Sequence, residues 1–194
     1  MATTDGIGSS QAGTETTLAE PAAIRRVEFE VDPSASVMLV EARSTVGPIE
    51  FATAELSGVG EVAVDEHGGV HFDDAPQAVF QVRVESLTSG NALYDAEMRR
   101  RLDARRYPTI TVRLLSAHAV GRRWMLETEV SVHRSSRVMR CTADVEAVGA
   151  DLIRVSGSHV VDMRDFSISV PSVLMLRIYP DVTVRCRVDA VRRS

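Results

Sequence analysis

Along most of this chain apolar and polar residues alternate one for one. Val27, Phe29 and Val31 alternate with Glu28 and Glu30; Phe80, Val82 and Val84 with Gln81, Arg83 and Glu85; Ile110, Val112 and Leu114 with Thr109, Thr111 and Arg113. A period of two puts the apolar set on one face of an extended strand whose other face meets water. The same reading holds from Trp124 to His133, where Trp124, Leu126, Val130 and Val132 share a face, and through Met139, Cys141, Ala143 and Val145. Shorter or less regular strands run from Val37 to Arg43, Ile49 to Phe51, Glu61 to Asp65, Ile153 to Val161, Leu174 to Tyr179 and Val182 to Val188. Turn chemistry separates them: Asp32-Pro33, Gly47-Pro48, the glycines around position 68, Gly121, Gly149, and Pro180-Asp181 before the last strand. Gly58 and Gly60 predict a bulge or bend ahead of Glu61.

One stretch, Thr88 to Pro108, changes period. Tyr94, Met98 and Leu102 recur every four residues and therefore lie along one helical face. Ser89 and Asn91 are good N-cap types, and Gly90 permits a tight entry. Asp95 and Glu97 come early and the arginines from Arg99 to Arg106 come late, the order that complements a helix dipole. Pro108 stops the helix and pushes Tyr107 towards extended backbone.

Eight to ten short strands at regular spacing with one inserted helix predict an all-β antiparallel barrel or sandwich, the helix covering one opening. A parallel sheet would need helices alternating with strands, and they are absent from the pattern. Residues 1–23, rich in Thr, Ser, Ala and Gly, read as a disordered tail, and 24–194 as a single folded domain.

Charge and cysteine content narrow the function classes. The formal net charge is −5, so no nucleic-acid footprint is expected, and all 22 basic residues are Arg. Cys141 and Cys186 lack zinc or CxxC spacing and read as buried thiols. No run of about 18 apolar residues exists to span a membrane as a helix. The N-terminal stretch lacks a basic n-region and an apolar h-region, so a cytoplasmic setting is the expectation.

Candidate chemistry outside the strands is thin. Arg99 to Arg106 offer forks suited to a phosphate, but the plainer reading is a solvated helix end. Asp162, Arg164 and Asp165 read as an ion-paired turn rather than a catalytic group, since no positioned nucleophile or base accompanies them. His67 and His71, near Asp73 and Asp74, read as turn residues before a metal site, and His118, His133 and His159 are scattered. Ser135 and Ser136 have no His-Asp context. No metal, cofactor or catalytic residue is therefore expected.

Four segments together resemble the YceI-like family of polyisoprenoid-binding, lipocalin-like proteins. They are Asp32-Pro33 with Ser34 and Ser36, STVGPIEF from Ser44, SGNALYDAEMRRRLDARRYPTITVRL from Ser89, and VDMRDFSISVPSVLMLRIYPDVTV from Val161 to Val184. The likeness extends from about Val27 to Val188, with VHRSSRV from Val132 to Val138 standing where relatives have a Gly-Val-Thr turn. It implies a lipocalin-like barrel around an apolar channel for an isoprenoid lipid or quinone, held without catalysis for storage or transfer. The lining would be Phe80, Val82, Val84, Ile110, Val112, Leu114, Trp124, Leu126, Val130, Val182 and Val184, with Tyr94, Met98 and Leu102 capping it from the helix. The same alternation equally suits a solid β core serving as a structural or interaction subunit, and a homodimer is compatible with either reading.

Overall fold

The last strand of the chain does more pairing than any other. In the computed structural model, which describes residues 24–193 except 66, 68, 73–75, 171 and 174–175, the expected tail 1–23 lies outside the described residues. The strands are β1 (Arg25–Val31), β2 (Val37–Ser44), β3 (Gly47–Thr53), β4 (Leu56–Val64), β5 (Val70–His71), β6 (Gln77–Arg83), β7 (Thr109–Val120), β8 (Arg123–Val132), β9 (Ser135–Ala147), β10 (Leu152–Asp162), β11 (Ser172–Val173) and β12 (Leu176–Arg192). The helix α1 (Ala92–Arg101) sits between β6 and β7, and 3₁₀ turns occupy Val84–Ser86 and Met163–Phe166.

Neighbouring strands follow the order β1-β4-β6-β7-β8-β9-β10-β12, and β12 pairs back to β1 through Phe29 with Arg192 and Val31 with Ala190. The result is a closed eight-stranded antiparallel barrel with one helix. One edge of β12 runs along β10 from Asp181 to Val191. The other edge holds β2 from Ile178 to Arg187 and then hands over to β1. The β2–β3 hairpin thus extends the wall at one end, and its outer edge is tied back by reciprocal Ala52 and Thr88 backbone hydrogen bonds of 2.9 and 3.1 Å.

Two expected boundaries shift. Pro180-Asp181 does not end a strand; β12 continues through it, with a register slip against β2 between Ile178 and Val182. A proline can sit there because the ladder lapses, so its missing N–H leaves no partner unpaired. Gly58 and Gly60 lie inside β4 rather than before it. A Cβ at Gly58 would stand 2.6 Å from the Val79 carbonyl oxygen and 3.1 Å from Phe80 Cα, so β4 and β6 approach closely only because that Cβ is missing.

In β7 a bulge between Leu114 and Ser116 turns Leu115 to the outside and restores an inward phase at Ala117. Asn91 caps α1, its Oδ1 accepting from the N–H groups of Leu93 and Tyr94 at 3.0 and 3.4 Å. Asp95 is buried and accepts from the N–H and hydroxyl of Ser89 at 2.8 and 2.7 Å; the hydroxyl bond holds its carboxyl below the usual range.

On the outer face, Asp189 lies beneath the β1–β2 turn with 2% of its surface exposed. Arg154 donates to both its carboxylate oxygens at 2.8 and 2.6 Å. Its backbone N–H donates to Ser36 Oγ at 3.0 Å, and its carbonyl accepts from the Asp32 N–H at 2.8 Å. This cluster fastens the β1–β2 turn to β12 and β10.

The Arg154 hydrogen bonds hold the Asp189 carboxyl below its ordinary value, against the opposing cost of burial. A depressed carboxylate pKa stabilises the fold above the unfolded value of about 3.9 and ceases to do so as pH falls through the folded value. Thermal unfolding followed by circular dichroism should therefore show a midpoint steady near neutrality that drops below about pH 4. Asp189→Asn should lower the midpoint at pH 7 and make that acid drop shallower. Gly58→Ala, which forces β4 and β6 apart, should cost about 1–3 kcal/mol in denaturant unfolding. Leu56→Ala, at 2% exposure in the core beside Val82 and Leu87, should cost about 2–5 kcal/mol.

Candidate functional site

The inward faces of the barrel do not meet. They enclose a cavity of about 540 Å³ that runs from Phe72 and Trp124 at one end to Tyr94, Met98 and Phe166 at the other. Its walls come from the alternation itself. β9 contributes Met139, Cys141, Ala143 and Val145, and β10 contributes Ile153, Val155, Gly157, His159 and Val161. Phe72 closes against Trp124 edge to face, with ring centroids 5.0 Å apart and planes at 70°, a favoured aromatic geometry.

The helix end is built differently. Tyr94 and Met98 from α1, Leu102 at its C-cap, and Phe166 and Ile168 after β10 form its apolar part. Glu97 and Arg101, the two charged residues among the described lining, lie beside them on α1. Arg101 donates from Nε to Glu97 at 2.6 Å and from Nη1 to the Ser169 carbonyl and hydroxyl, each at 2.8 Å. It thereby ties the helix to the segment that follows the 3₁₀ turn. Arg100 donates to the same Glu97 at 2.9 and 2.7 Å, and together these bonds bring its carboxyl down to about 2. Glu97 is ionised at any physiological pH, and it already neutralises the arginine at the opening.

Twelve of the fourteen residues expected to line the channel do border this cavity: Phe80 on β6, Ile110, Val112 and Leu114 on β7, Trp124, Leu126 and Val130 on β8, Val182 and Val184 on β12, and Tyr94, Met98 and Leu102 at the helix. Val82 and Val84 do not. Val82 is sealed in a solid cluster with Leu56, Phe51 and Leu87. Strand β6 ends at Arg83, and Val84 begins a 3₁₀ turn in which its N–H donates to the Pro108 carbonyl at 2.8 Å. The alternation continues to Val84 and Glu85 in the sequence, but the strand ends at Arg83.

Other lining residues were not anticipated, among them Phe29, Met38, Phe51, Val155 and His159. The signal for the last two was present, since Ile153, Val155, His159 and Val161 share one phase of β10. Cys141 and Cys186 also face in, on strands separated by β10. Two strand spacings of about 4.8 Å put their Cα atoms beyond the roughly 7 Å that a disulfide can span. Burial raises both thiol pKa values, and Cys141 adds a smaller upward push on Cys186 across Gly157, so both are protonated.

The remaining candidates resolve into structure. Asp162 caps the 3₁₀ turn by accepting from the Arg164 N–H at 2.8 Å and pairs with its guanidinium. His71 Nε2 lies 3.0 Å from Asp65, and Asp73 and Asp74 are outside the described residues. Among the described residues no group of three potential ligands is arranged for a metal, and no helix is long and apolar enough to cross a membrane.

No curated protein matches this chain in sequence. Solved structures share its fold. Burkholderia cenocepacia BcnA superposes with a TM-score of 0.67 at 16% identity, covering 82% of this chain and 98% of that one. A polyisoprenoid binding domain from Saccharophagus degradans gives 0.66 at 16% identity, covering 86% and 99%. The Campylobacter jejuni YCEI protein gives 0.54 at 11% identity, covering 98% and 94%. At such identities these likenesses speak for the fold. The YceI-like domain model matches residues 29–190, which is nearly the whole barrel, and the chain accordingly belongs to the YceI-like family.

Proposed function

We propose that the barrel holds a single polyisoprenoid molecule, a polyprenyl lipid or an isoprenoid quinone, in its interior for storage or transfer, without catalysis. The observation that carries this reading is the continuous apolar cavity of about 540 Å³, well within the range of about 300–1,000 Å³ for ligand sites. The polyisoprenoid binding domain of Saccharophagus degradans, with the same fold, lends it support.

The energetics suit a hydrocarbon chain. Each buried carbon contributes about 0.8 kcal/mol, so a five-carbon prenyl unit contributes about 4 kcal/mol before ordering costs. Association costs about 4–15 kcal/mol, so roughly two to four buried units are needed before binding becomes net favourable. Specificity for a prenyl chain would come from the width and length of the channel, since its walls present mostly carbon. The lining keeps its charged side chains at α1, where Glu97 and Arg101 satisfy each other, and offers contact area along the strands.

Native mass spectrometry of freshly purified protein, followed by solvent extraction, should reveal an adduct built on repeating isoprene units. An unadducted mass, with no uptake from offered polyprenols or quinones, would remove the reading in favour of an interaction subunit. Leu126, which lines the cavity from β8, supplies the matching variants. Leu126→Arg should abolish uptake because an unpaired charge cannot be buried there. Leu126→Trp should reduce uptake by filling the channel while the circular dichroism spectrum stays that of the barrel.

A further inference from the structure

His159 is the part of the cavity that an apolar channel does not explain. Besides the two thiols, the described strand residues of the lining carry polar side chains at Gln77, Thr128, Thr142, Ser158 and His159. Gln77 and Ser158 are exposed, and Thr142 lies in the outward phase of β9 between Cys141 and Ala143. Thr128 already donates to the Met139 carbonyl at 3.5 Å, and the thiols are protonated and weak. His159 lies two inward positions from the end of β10, paired with Val184 on β12, and its ring meets no hydrogen-bond partner among the described residues. Apolar side chains line the cavity on both sides of it, Val161 and Met163 towards the helix and Val155 and Ile153 towards Trp124.

A neutral imidazole carries one N–H donor and one ring-nitrogen acceptor, and a hydrocarbon can satisfy neither. A ligand that fills the channel displaces water from these groups, and leaving them unpaired is costly, so a ligand that fits this wall brings a polar atom to that depth. The charge of that atom is constrained as well. The nearest cation in the lining, Arg101, is held by Glu97 and Ser169, so no free positive charge awaits a phosphate. Burying a phosphate against one imidazole and a carbon wall would leave most of its charge unsolvated.

Resting on the polyisoprenoid reading, we infer that His159 is the head-group contact of this barrel, selecting prenyl chains that end in an uncharged oxygen, either an alcohol or a quinone carbonyl. The polar end of the ligand is then held inside the barrel, not at the Arg-rich helix opening. A hydroxyl can donate to the ring nitrogen or accept from the ring N–H, whereas a quinone carbonyl only accepts.

Four probes with one farnesyl chain and different ends test this: a hydrocarbon, an alcohol, a benzoquinone and a monophosphate, each competed against a lipophilic fluorophore. The wild-type barrel should bind the alcohol and the quinone about three- to tenfold tighter than the hydrocarbon, the worth of one buried hydrogen bond. The monophosphate should bind weakest. In His159→Leu the spread between alcohol, quinone and hydrocarbon should collapse, and in His159→Gln, which keeps a donor and an acceptor, it should persist. The infrared carbonyl band of the bound quinone should fall to lower frequency in the wild type and return in His159→Leu. If His159→Leu does not fold by circular dichroism, the wild-type affinity order and the carbonyl band decide alone. A tightest-binding monophosphate, equal affinities for all four probes, or a preference that survives His159→Leu would overturn the head-group assignment and leave the channel intact. Failure of every probe to bind, the hydrocarbon included, would overturn both.

Discussion

Closure of this barrel depends on β12. Seventeen residues long, it serves β10 along one edge and shares the other between β2 and β1. A strand that must pair on both sides over such a length cannot keep one perfect register, because the β2–β3 hairpin and β1 approach it from different places. The irregularity at Pro180-Asp181 absorbs that mismatch. The Asp189 cluster then fixes the handover, since it binds the β1–β2 turn, Arg154 on β10 and β12 itself. With β12 paired back to β1, the wall closes on itself, and the inward side chains are held apart instead of collapsing onto one another.

That separation is what makes the interior a site. A sandwich with the same alternation would press its two inner faces into a solid core about 10 Å thick. Here two packed clusters of buried residues form, one around Leu56, Val82 and Leu87 and one around Phe29 and Val62, and members of both also border the open space. Between and beside them the wall curves round open space. The family membership fits this architecture.

The helix end shows a division of labour within one element. The apolar face of α1, with Tyr94 and Met98 and the C-cap residue Leu102, closes over the cavity, while its arginines serve Glu97, Ser169 and the Glu85 carbonyl. An arginine-rich segment beside a lipid cavity suggests an anion site at first sight. The hydrogen bonds of Arg100 and Arg101 instead make it a latch and a balanced helix end. Arg99 Nε and His133 Nδ1 are buried without partners, yet neither residue belongs to the described cavity lining.

By itself the sequence determined the strand-by-strand alternation, the single helix with its Asn91 cap and Tyr94-Met98-Leu102 face, and the apolar character of nearly every inward position. These are local matters, settled by period, capping chemistry and turn residues within a few neighbours of each site. The tertiary structure alone decided which alternating residues see open space. Val82 and Val84 follow the same pattern as Phe80 and yet lie outside the cavity, because Val82 is packed into the cluster around Leu56 and Leu87 and strand β6 ends at Arg83, before Val84. Pro180 looked like a terminus and became a bulge, because β2 pairs with β12 on both sides of it, at Ile178 and at Val182. His159 looked like one scattered histidine and became a polar group in the channel wall, since burial on a closed surface depends on partners distant in sequence.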